Sequence, residues 1–464
     1  MRRKLSSSLS LSGRVVSKGV WLGHPTQTDL RNPLARLRFS VLVLLSAFAL
    51  LASSGHAATL HVPSEYATIQ AGIDAAAFGD SVLVAPGVYK DYEVRDFLAS
   101  CAFLKDGVCV KSEAGPASTT IDIINMQGPL GGSAVIANAL PSGVTSFEGF
   151  TIEGREKGGG ALIGLCEDMT LRDCVFQNFD GGPTAGGAVV IVGNGSIIDS
   201  KFTNCRADLG GAIYCTDGHI DLIGCLIQSC QNTPVQIEES GGGAVSTTIM
   251  NCQFLDNTSS GGAGGLALGL TSGPTIIKGC LFKGNINTGS GGGAVIMGLG
   301  QKTVQDCVFI ENGAMGSNGQ GGGLSAFSSP LIVHNNTFFG NYKTTNIAGG
   351  SAAYFAPPTS GAFESNIVSG SHGGPAVENL GTMSTNCNVF WDNAQGIGVP
   401  LAPTDRVVDP LLCDPAIYDL TLRTGSPCLP NDPLGCGLIG ALGQGCGAVS
   451  VESKSWGKIK GLYR

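Results

Sequence analysis

The chain has 464 residues, of which 71 are glycine, 43% are hydrophobic and 13% are charged. The apolar content argues against intrinsic disorder, and many glycines with few charges are typical of a turn-rich, all-β protein. The net charge of -8 argues against a nucleic-acid partner, because phosphate binding requires a basic surface.

Residues 1–57 have the pattern of a secretory signal. Residues 1–38 carry eight lysines or arginines against one acid, Asp29, and an uncharged apolar run follows from Phe39 to Leu51. The run is too short to span a bilayer comfortably, and small residues lead to Ala57, where we expect cleavage. Cleavage leaves 19 basic and 34 acidic residues. We therefore expect an acidic protein that is secreted, extracellular or at the outer cell surface, with no transmembrane segment after signal removal.

Residues 58–90 are predicted to form an N-terminal cap and the first coil of a longer array. The sequence predicts a short helix that ends at Gly79, followed by a strand from Ser81 to Val84. The apolar residues of this helix share one face: Ile69, Ile73 and Ala76. A helix at the open end of a stack of strands protects an unpaired strand edge.

A repeat of about 27 residues runs through residues 91–412. Equivalent positions lie 25 to 29 residues apart: Phe176, Phe202, Ile227, Phe254, Phe282, Phe309 and Phe338. Apolar residues alternate within each repeat, as in Ser196–Phe202, which predicts short strands rather than helices. The period indicates a solenoid whose coils stack as parallel strands about 4.8 Å apart.

Stacking of these repeats predicts two columns of side chains. The recurring Cys-x-Phe pattern places thiols and rings on one face of each strand, which we expect to point inward. The Phe-x-x-Asn motif places an asparagine at the next bend, where it tolerates left-handed backbone and its amide can bond to the coil above. The asparagines of this predicted structural ladder are Asn257, Asn285, Asn312 and Asn341.

The two recurring motifs carry a family resemblance. Gly210-Gly211-Ala212-Ile213 and the Phe-x-x-Asn motifs are similar to the repeats of chlamydial polymorphic membrane proteins, and Tyr66–Tyr89 is similar to the cap and first coil of pectin-lyase-like proteins. The resemblance covers roughly residues 60 to 430. It implies an all-β, right-handed parallel β-helix solenoid with a short N-terminal capping helix. It does not fix an activity, because this fold hosts lyases, hydrolases, adhesins and structural proteins.

The cysteines divide into two groups. All sixteen follow residue 57, and an even number in an oxidising compartment allows disulfides. The best local candidates are Cys101 with Cys109, Cys413 with Cys428, and Cys436 with Cys446, although the last four admit three connectivities. The stacked thiols are expected to stay reduced, because parallel Cβ vectors remain too far apart for a relaxed disulfide: Cys225, Cys252, Cys280 and Cys307. No familiar zinc-binding spacing occurs, so we expect no metal site.

One group of residues is a candidate catalytic site: Asp173, Asp199, Arg172 and Lys201. Aligned coils place Asp173 over Asp199, and two stacked carboxylates can bind Ca²⁺ or share a proton. The favoured alternative is that the two basic residues offset the aspartates on a solvated face. Only four histidines follow the signal, His61, His219, His334 and His372. We expect no cofactor, with Ca²⁺ arising only if the protein is an enzyme.

Recognition is predicted on one side of the solenoid. The repeats differ most between each Phe-x-x-Asn and the next Gly-Gly, as in Gln231–Ser240, Asn312–Gln320 and Tyr342–Ala348. Insertions at one phase of a solenoid project from one side and form a loop-rich face.

Residues 413–447 are predicted to close the stack, and residues 448–464 form a basic tail. The first functional hypothesis is a secreted or surface-displayed monomer that serves as an adhesin-like binding or structural module for a polysaccharide or cell-surface ligand. The alternative is a lyase or hydrolase that acts on an acidic polysaccharide at Asp173 and Asp199. The net negative charge disfavours the alternative, because it repels an anionic polymer.

Overall fold

The computed structural model describes residues 57–446, apart from 125, 127–131, 141–144, 155–161, 183–185, 241–244, 270, 290, 298–299, 328–329, 345–348 and 431–432. The chain winds in stacked coils, and the strands of each coil pair in parallel with their equivalents in the next coil. In one coil, Val235–Glu238 leads to Ser246–Met250, then to Gln253–Leu255, and then to Thr258–Ser259. The expected signal, up to His56, and the basic tail lie outside the described residues.

The first two strand positions of each coil form two rows of one 22-stranded sheet. Two long strands, Leu162–Arg172 and Val189–Ile198, run through both rows and join them. The rest of the first row is Ala102–Phe103, Val135–Leu140, Ile213–Thr216, Val235–Glu238, Leu266–Leu268, Ala294–Met297, Leu324–Phe327, Ala353–Ala356 and Val377–Asn379. The rest of the second row is Thr59–Val62, Ser81–Val84, Cys109–Ser112, Thr145–Glu148, His219–Ile223, Ser246–Met250, Thr275–Lys278, Lys302–Gln305, Pro330–His334, Ser360–Glu364 and Thr382–Asn386.

The third strand position forms the middle sheet, which has 13 strands: Gly87–Tyr89, Thr119–Asp122, Thr151–Glu153, Val175–Gln177, Lys201–Thr203, Leu226–Gln228, Gln253–Leu255, Leu281–Lys283, Val308–Ile310, Thr337–Phe339, Ile367–Ser369, Val389–Trp391 and Arg406–Val407. A short sheet of four strands follows it: Thr258–Ser259, Ile286–Asn287, Gly313–Ala314 and Tyr342–Lys343. An antiparallel hairpin of Glu93–Arg95 and Leu98–Ser100 interrupts the regular winding. This arrangement is a parallel β-helix, as the repeat predicts.

A single α-helix among the described residues, Ile69–Ala75 (α1), covers the N-terminal end. Ile69, Ile73 and Ala76 are buried, as the shared face predicts. The hydroxyl of Thr68 caps the helix by accepting from the amide of Ala71 at 3.1 Å. The helix ends before Gly79, which lies in the following turn with φ +92°. No helix of the described residues is both long and apolar enough to cross a membrane.

Two bends in each coil use left-handed backbone. The first bend follows the second row, and its residues have φ between 48° and 80°: Gly149, Asp173, Asp199, Gly224, Asn251, Gly279, Asp306, Asn335, Ser365 and Cys387. The second bend follows the middle sheet: Asn178, Asn204, Ser229, Asp256, Gly284, Glu311, Gly340, Gly370 and Asp392. Glycine, asparagine and aspartate adopt this conformation at the lowest cost. The ladder asparagines therefore follow the left-handed residue, and the prediction that they occupy it is wrong.

Residues 408–446 pack against the outer face of the middle sheet instead of adding a coil. They include Leu412–Asp414, a 3₁₀ helix at Pro415–Ile417, Asp419–Arg423 and Gln444–Cys446. Apolar residues of the segment cover outward side chains of the middle sheet, among them Leu281, Val308, Ile310, Ile367 and Val389. The hydroxyl of Tyr418 donates to Glu311 at 2.7 Å, and the amide of Ala441 donates to Thr337 at 3.0 Å.

Two disulfides hold this segment, and neither is one of the predicted local pairs. Cys387 pairs with Cys436, and Cys413 pairs with Cys446. Because the segment folds back, Cys436 meets the first bend of a coil 49 residues earlier, which local spacing does not indicate. Cys428 is a buried free thiol, and Cys101 and Cys109 are also free. The stacked Cys225, Cys252, Cys280 and Cys307 are free and buried, as predicted.

Lys302 is fully buried inside the coils, where its ammonium donates to the carbonyls of Thr271 at 2.7 Å and Gly273 at 2.8 Å. Burial lowers the pKa of Lys302 to about 8, with Glu239 acting in the opposite direction. Between pH 8 and the ordinary lysine pKa near 10.4, the unfolded chain binds more protons at this residue, so its contribution to stability increases with pH. We expect the wild-type free energy of unfolding minus that of Lys302→Met to increase by up to about 1.4 kcal/mol per pH unit in this window.

Denaturant unfolding at several pH values measures this difference directly. Lys278→Met, at a partly exposed lysine of the preceding coil, controls for the general loss of a lysine. The prediction would be contradicted if the difference in free energy of unfolding between wild type and Lys302→Met did not change with pH in this window. It would also be contradicted if the difference for Lys278→Met changed equally steeply.

Candidate functional site

The candidate catalytic group divides between the first bend, which holds Asp173 and Asp199, and the strands beside it, which hold Arg172 and Lys201. Asp173 and Asp199 lie exposed on adjacent coils at the first bend, with φ 48° and 50°. Arg172 is the register neighbour of Ile198, and Lys201 is the register neighbour of Val175. Among the described residues no ion pair joins these four side chains. The left-handed bend accounts for both aspartates without a catalytic role.

The predicted aromatic column lies inside the coils. The seven repeat positions are in register from coil to coil, and all are fully buried. The rings of Phe254, Phe282, Phe309 and Phe338 stack face to face with centroids 4.6 to 4.9 Å apart. Near-parallel stacking at this spacing follows from the rise of the strands.

The asparagine ladder runs beside the rings. The amide nitrogen of Asn257 donates to Asn285 at 2.8 Å, that of Asn285 to Asn312 at 2.9 Å, and that of Asn312 to Asn341 at 3.0 Å. Each of these four asparagines also donates to a backbone carbonyl. The ladder satisfies polar groups that would otherwise be buried without partners, which identifies it as structural.

A second ladder at the first bend is absent from our sequence prediction. Asn336 donates to Asn366 at 3.0 Å, Asn366 to Asn388 at 3.1 Å, and Asn388 to the buried carboxylate of Asp405 at 3.0 Å. These asparagines occupy the position that cysteine holds in earlier coils. The signal is the change from Cys-x-Phe to Asn-x-Phe at Asn336 and Asn388.

A polar group on the outer face of the first row is the best candidate for recognition. We call it the carboxylate patch, and it comprises Tyr214, Thr216, Asp217, Gln236, Glu238 and Ser240. Tyr214 donates to Oε1 of Glu238 at 2.6 Å, and Gln236 donates to Oε2 of the same carboxylate at 3.0 Å. Burial first, and then the hydrogen bond to Glu238, raise the pKa of Tyr214. Glu238 is thus fixed by donors on two coils.

The second carboxylate of the patch is held in the same way. The hydroxyl and the backbone amide of Ser240 donate to the two oxygens of Asp217, at 2.5 and 2.9 Å. Thr216 donates to the hydroxyl of Ser240 at 2.9 Å, and Thr216 is the register neighbour of Glu238. Two oriented carboxylates, a ring and several hydroxyls therefore lie together across two coils.

The next coil places a glycine, Gly269, close against Glu238. A Cβ at Gly269, in the next coil, would lie 2.6 Å from Cβ of Glu238 and 3.1 Å from its Oε2. Any larger residue would press on this carboxylate. Among the described residues, no group of three or more His, Cys, Asp or Glu side chains could hold a metal ion.

The predicted loop-rich face is only partly made of loops. Gln231–Ser240 contains the strand Val235–Glu238, Asn312–Gln320 contains Gly313–Ala314, and residues 345–348 lie outside the described part of the chain. The alternation in Val235-Gln236-Ile237-Glu238 carries the signal for this strand and for its two outward polar residues.

The comparisons with known proteins agree with the fold. The family model described as right handed beta helix region matches residues 135–309. The chain is a right-handed parallel β-helix. No curated protein matches it in sequence.

Three solved structures resemble this β-helix. The A-module of mannuronan C-5 epimerase AlgE4 from Azotobacter vinelandii is 18% identical, with a TM-score of 0.44, and the match covers 74% of this chain and 95% of that one. The AlgE6 A-module of the same organism is 16% identical, with a TM-score of 0.45 and coverage of 73% and 92%. ORF18 of Geobacillus virus E2 is 14% identical, with a TM-score of 0.31 and coverage of 74% and 67%. At these identities and TM-scores, the likenesses carry no argument about function.

Proposed function

We propose that this β-helix is a secreted or surface-displayed binding module that recognises a neutral or amino-bearing polysaccharide through the carboxylate patch. The observation that carries the proposal is the orientation of Glu238 by Tyr214 and Gln236, and of Asp217 by Ser240. Groups held in place before binding lose little conformational entropy when a ligand arrives. We also propose that the module has an adhesin-like role and that it is a monomer. We propose further that its repeats are of the type found in chlamydial polymorphic membrane proteins.

The chemistry of the patch suits saccharide hydroxyls and ammonium groups. Carboxylates accept strong, charge-assisted hydrogen bonds from such donors. The ring of Tyr214, half-buried, adds an apolar surface beside them. An anionic polymer would be repelled by Asp217 and Glu238, as well as by the net charge.

The location outside the cell rests on the signal pattern of residues 1–57. The described cysteines are compatible with it, since two disulfides hold residues 408–446 and the eleven free cysteines among the described residues are buried or half-buried. The enzymatic alternative at Asp173 and Asp199 gains no support, because both residues serve a bend.

Binding of residues 58–464 to an immobilised panel of neutral, amino-bearing and acidic polysaccharides tests the proposal. We expect binding to members of the first two classes, and a Kd raised about tenfold or more by Glu238→Gln, since a hydrogen bond to a charged group contributes about 1.5 to 3 kcal/mol. Gly269→Ala should weaken binding similarly by crowding Glu238.

Glu364→Gln is the matched control, because Glu364 is also a half-buried carboxylate on an outward position of the large sheet. It should leave Kd within twofold. Binding confined to acidic polysaccharides, or binding that Glu238→Gln and Gly269→Ala both leave unchanged, would refute the proposal.

A further inference from the structure

A hydroxyl, an imidazole and a carboxylate meet on the outer face of the second row. Ser246 Oγ lies 2.6 Å from Nδ1 of His219, and Nε2 of His219 lies 3.1 Å from Oδ1 of Asp221. Ser246 and His219 are register neighbours on adjacent coils, while His219 and Asp221 are two residues apart on one strand and share its outward face. The winding of the helix therefore assembles the three groups.

The contacts match the arrangement that activates a serine. A nucleophile and a base within about 2.6 to 3.2 Å, with the base oriented by a third group, are the structural signature of nucleophilic catalysis. Such a constellation is recognised by its geometry and roles rather than by chain order, and it recurs on unrelated folds. We propose that Ser246, His219 and Asp221 form a hydrolytic site for small carboxylic esters, such as O-acyl groups.

The proposed reaction balances without any added cofactor. Ser246 Oγ attacks the ester carbonyl carbon and forms the new C–O bond, while its proton passes to Nδ1 of His219. The tetrahedral intermediate collapses, the bond to the leaving alcohol breaks, and His219 returns the proton to that alcohol. Water then attacks the acyl-serine with His219 again accepting the proton, which releases the carboxylic acid and restores Ser246. Asp221 is a positioning residue that orients the imidazole and stabilises its charged form.

The surroundings fix the imidazole and leave it accessible. The side chain of His219 is 52% exposed, and that of Asp221 is 25% exposed. The backbone amide of His219 donates to Oδ1 of Asn194 at 2.8 Å, which holds the start of the strand. Thr248 and Ser196 flank Asp221 in register on the two adjacent coils. Because the backbone amides of Ser246 and Thr247 already donate to carbonyls of neighbouring coils, they do not stabilise a developing oxyanion, and we expect modest rates.

His334 provides a natural comparison on the same row. Its Nε2 lies 3.2 Å from the amide oxygen of Gln305 in the neighbouring coil. An amide cannot serve as the nucleophile. His334 therefore lies on the same row and face as His219, but it has no neighbouring hydroxyl to activate at this contact. The proposal goes beyond polysaccharide binding and does not depend on it, since the carboxylate patch lies on the first row.

Labelling residues 58–464 with a fluorophosphonate probe, followed by peptide mass analysis, tests the site. We expect the adduct on Ser246, together with turnover of p-nitrophenyl acetate. Ser246→Ala should abolish both, and His219→Gln should slow both at least tenfold. Asp221→Asn should lower kcat at least tenfold while leaving KM and the melting temperature unchanged.

Ser196→Ala and His334→Gln are the matched controls and should keep the rates within twofold, as should Glu364→Gln. All six changes lie on outward side chains, and circular dichroism verifies that each variant folds. An absent label, a label on another residue, or equal rates in Ser246→Ala and wild type would overturn the proposal. Each of these results leaves polysaccharide binding unaffected, so the two proposals fail separately.

Discussion

Raising the pH from 9 to 11 is expected to unfold the coil stack cooperatively, because the interior holds thiols that cannot ionise while they are buried. Burial raises the pKa of Cys101, Cys174 and Cys215 to about 12. Burial, together with neighbouring thiols, raises the pKa of four more well above the ordinary range: Cys205, Cys225, Cys252 and Cys280. For Cys225 the neighbouring thiol of Cys252 is the larger cause.

The direction of the effect follows from proton binding. Above pH 9 the unfolded chain releases these protons and the folded chain keeps them, so stability is complete below the unfolded pKa and is lost as the pH rises towards the folded values. Each thiol removes about 1.4 kcal/mol per pH unit, and seven together remove about 10 kcal/mol per unit. That loss is comparable with the whole stability of an ordinary domain. The opposite contribution of Lys302 involves a single proton and cannot offset it.

Far-ultraviolet circular dichroism and thiolate absorbance, followed together under anaerobic conditions, measure this transition. The two signals should change at the same pH, because the thiols become ionisable only on unfolding. Cys280→Ala is the informative variant, since it removes one ionisable thiol. The decrease of the free energy of unfolding with pH should therefore become less steep by the contribution of one proton, about 1.4 kcal/mol per pH unit. Ionisation of these seven buried thiols in a chain that remains folded would contradict the prediction.

The sequence predicts the interior of the coil better than its exterior. The column of Phe254, Phe282 and Phe309 could be located because one inward residue per coil repeats at a nearly fixed period. The ladder of Asn285 and Asn312 follows from the same register. Inward positions are constrained by packing in every coil, so their residue types repeat and become visible.

The C-terminal segment shows why the exterior is harder to predict. Its contacts with Glu311 and Thr337 cross more than 100 residues, with separations of 107 and 104. The indirect signal is the unbroken apolar stretch Val308-Phe309-Ile310, which departs from alternation because both faces of that strand are buried. Such a run indicates that another part of the chain packs on the outer face of the strand, but it does not identify which part. The pairing of Cys436 with Cys387 is unpredictable for the same reason.

The carboxylate patch and the group around His219 depend on register between coils. Tyr214 and Glu238 are 24 residues apart, and His219 and Ser246 are 27 residues apart. The repeat length alone brings such residues to neighbouring coils, yet a shift of one residue would turn every side chain to the other face. Since coil lengths vary, only the structure decides which outward residues meet.

Replacing Asn312 by alanine is expected to destabilise the middle of the solenoid by about 4 to 6 kcal/mol. The side chain is fully buried and makes four hydrogen bonds. Its amide nitrogen donates to the carbonyl of Phe282 at 2.9 Å and to Asn341 at 3.0 Å. Its oxygen accepts from the backbone and side-chain nitrogens of Asn285, at 3.0 and 2.9 Å. Alanine removes all four and leaves their partners buried, each at a cost of about 1 to 3 kcal/mol before relaxation.

The position of the loss distinguishes a ladder from a general core defect. Stability in a solenoid is nearly a sum over coils and their neighbours, so hydrogen exchange should accelerate most in the coils of Asn285, Asn312 and Asn341, with little change near α1. Asp256→Gly is the matched control, because Asp256 is an exposed second-bend residue with φ 52°. Glycine tolerates that conformation, and the free energy of unfolding should stay within about 1 kcal/mol. A loss below about 1 kcal/mol for Asn312→Ala, or faster exchange spread evenly along the described coils, would show that the amides do not act as a ladder.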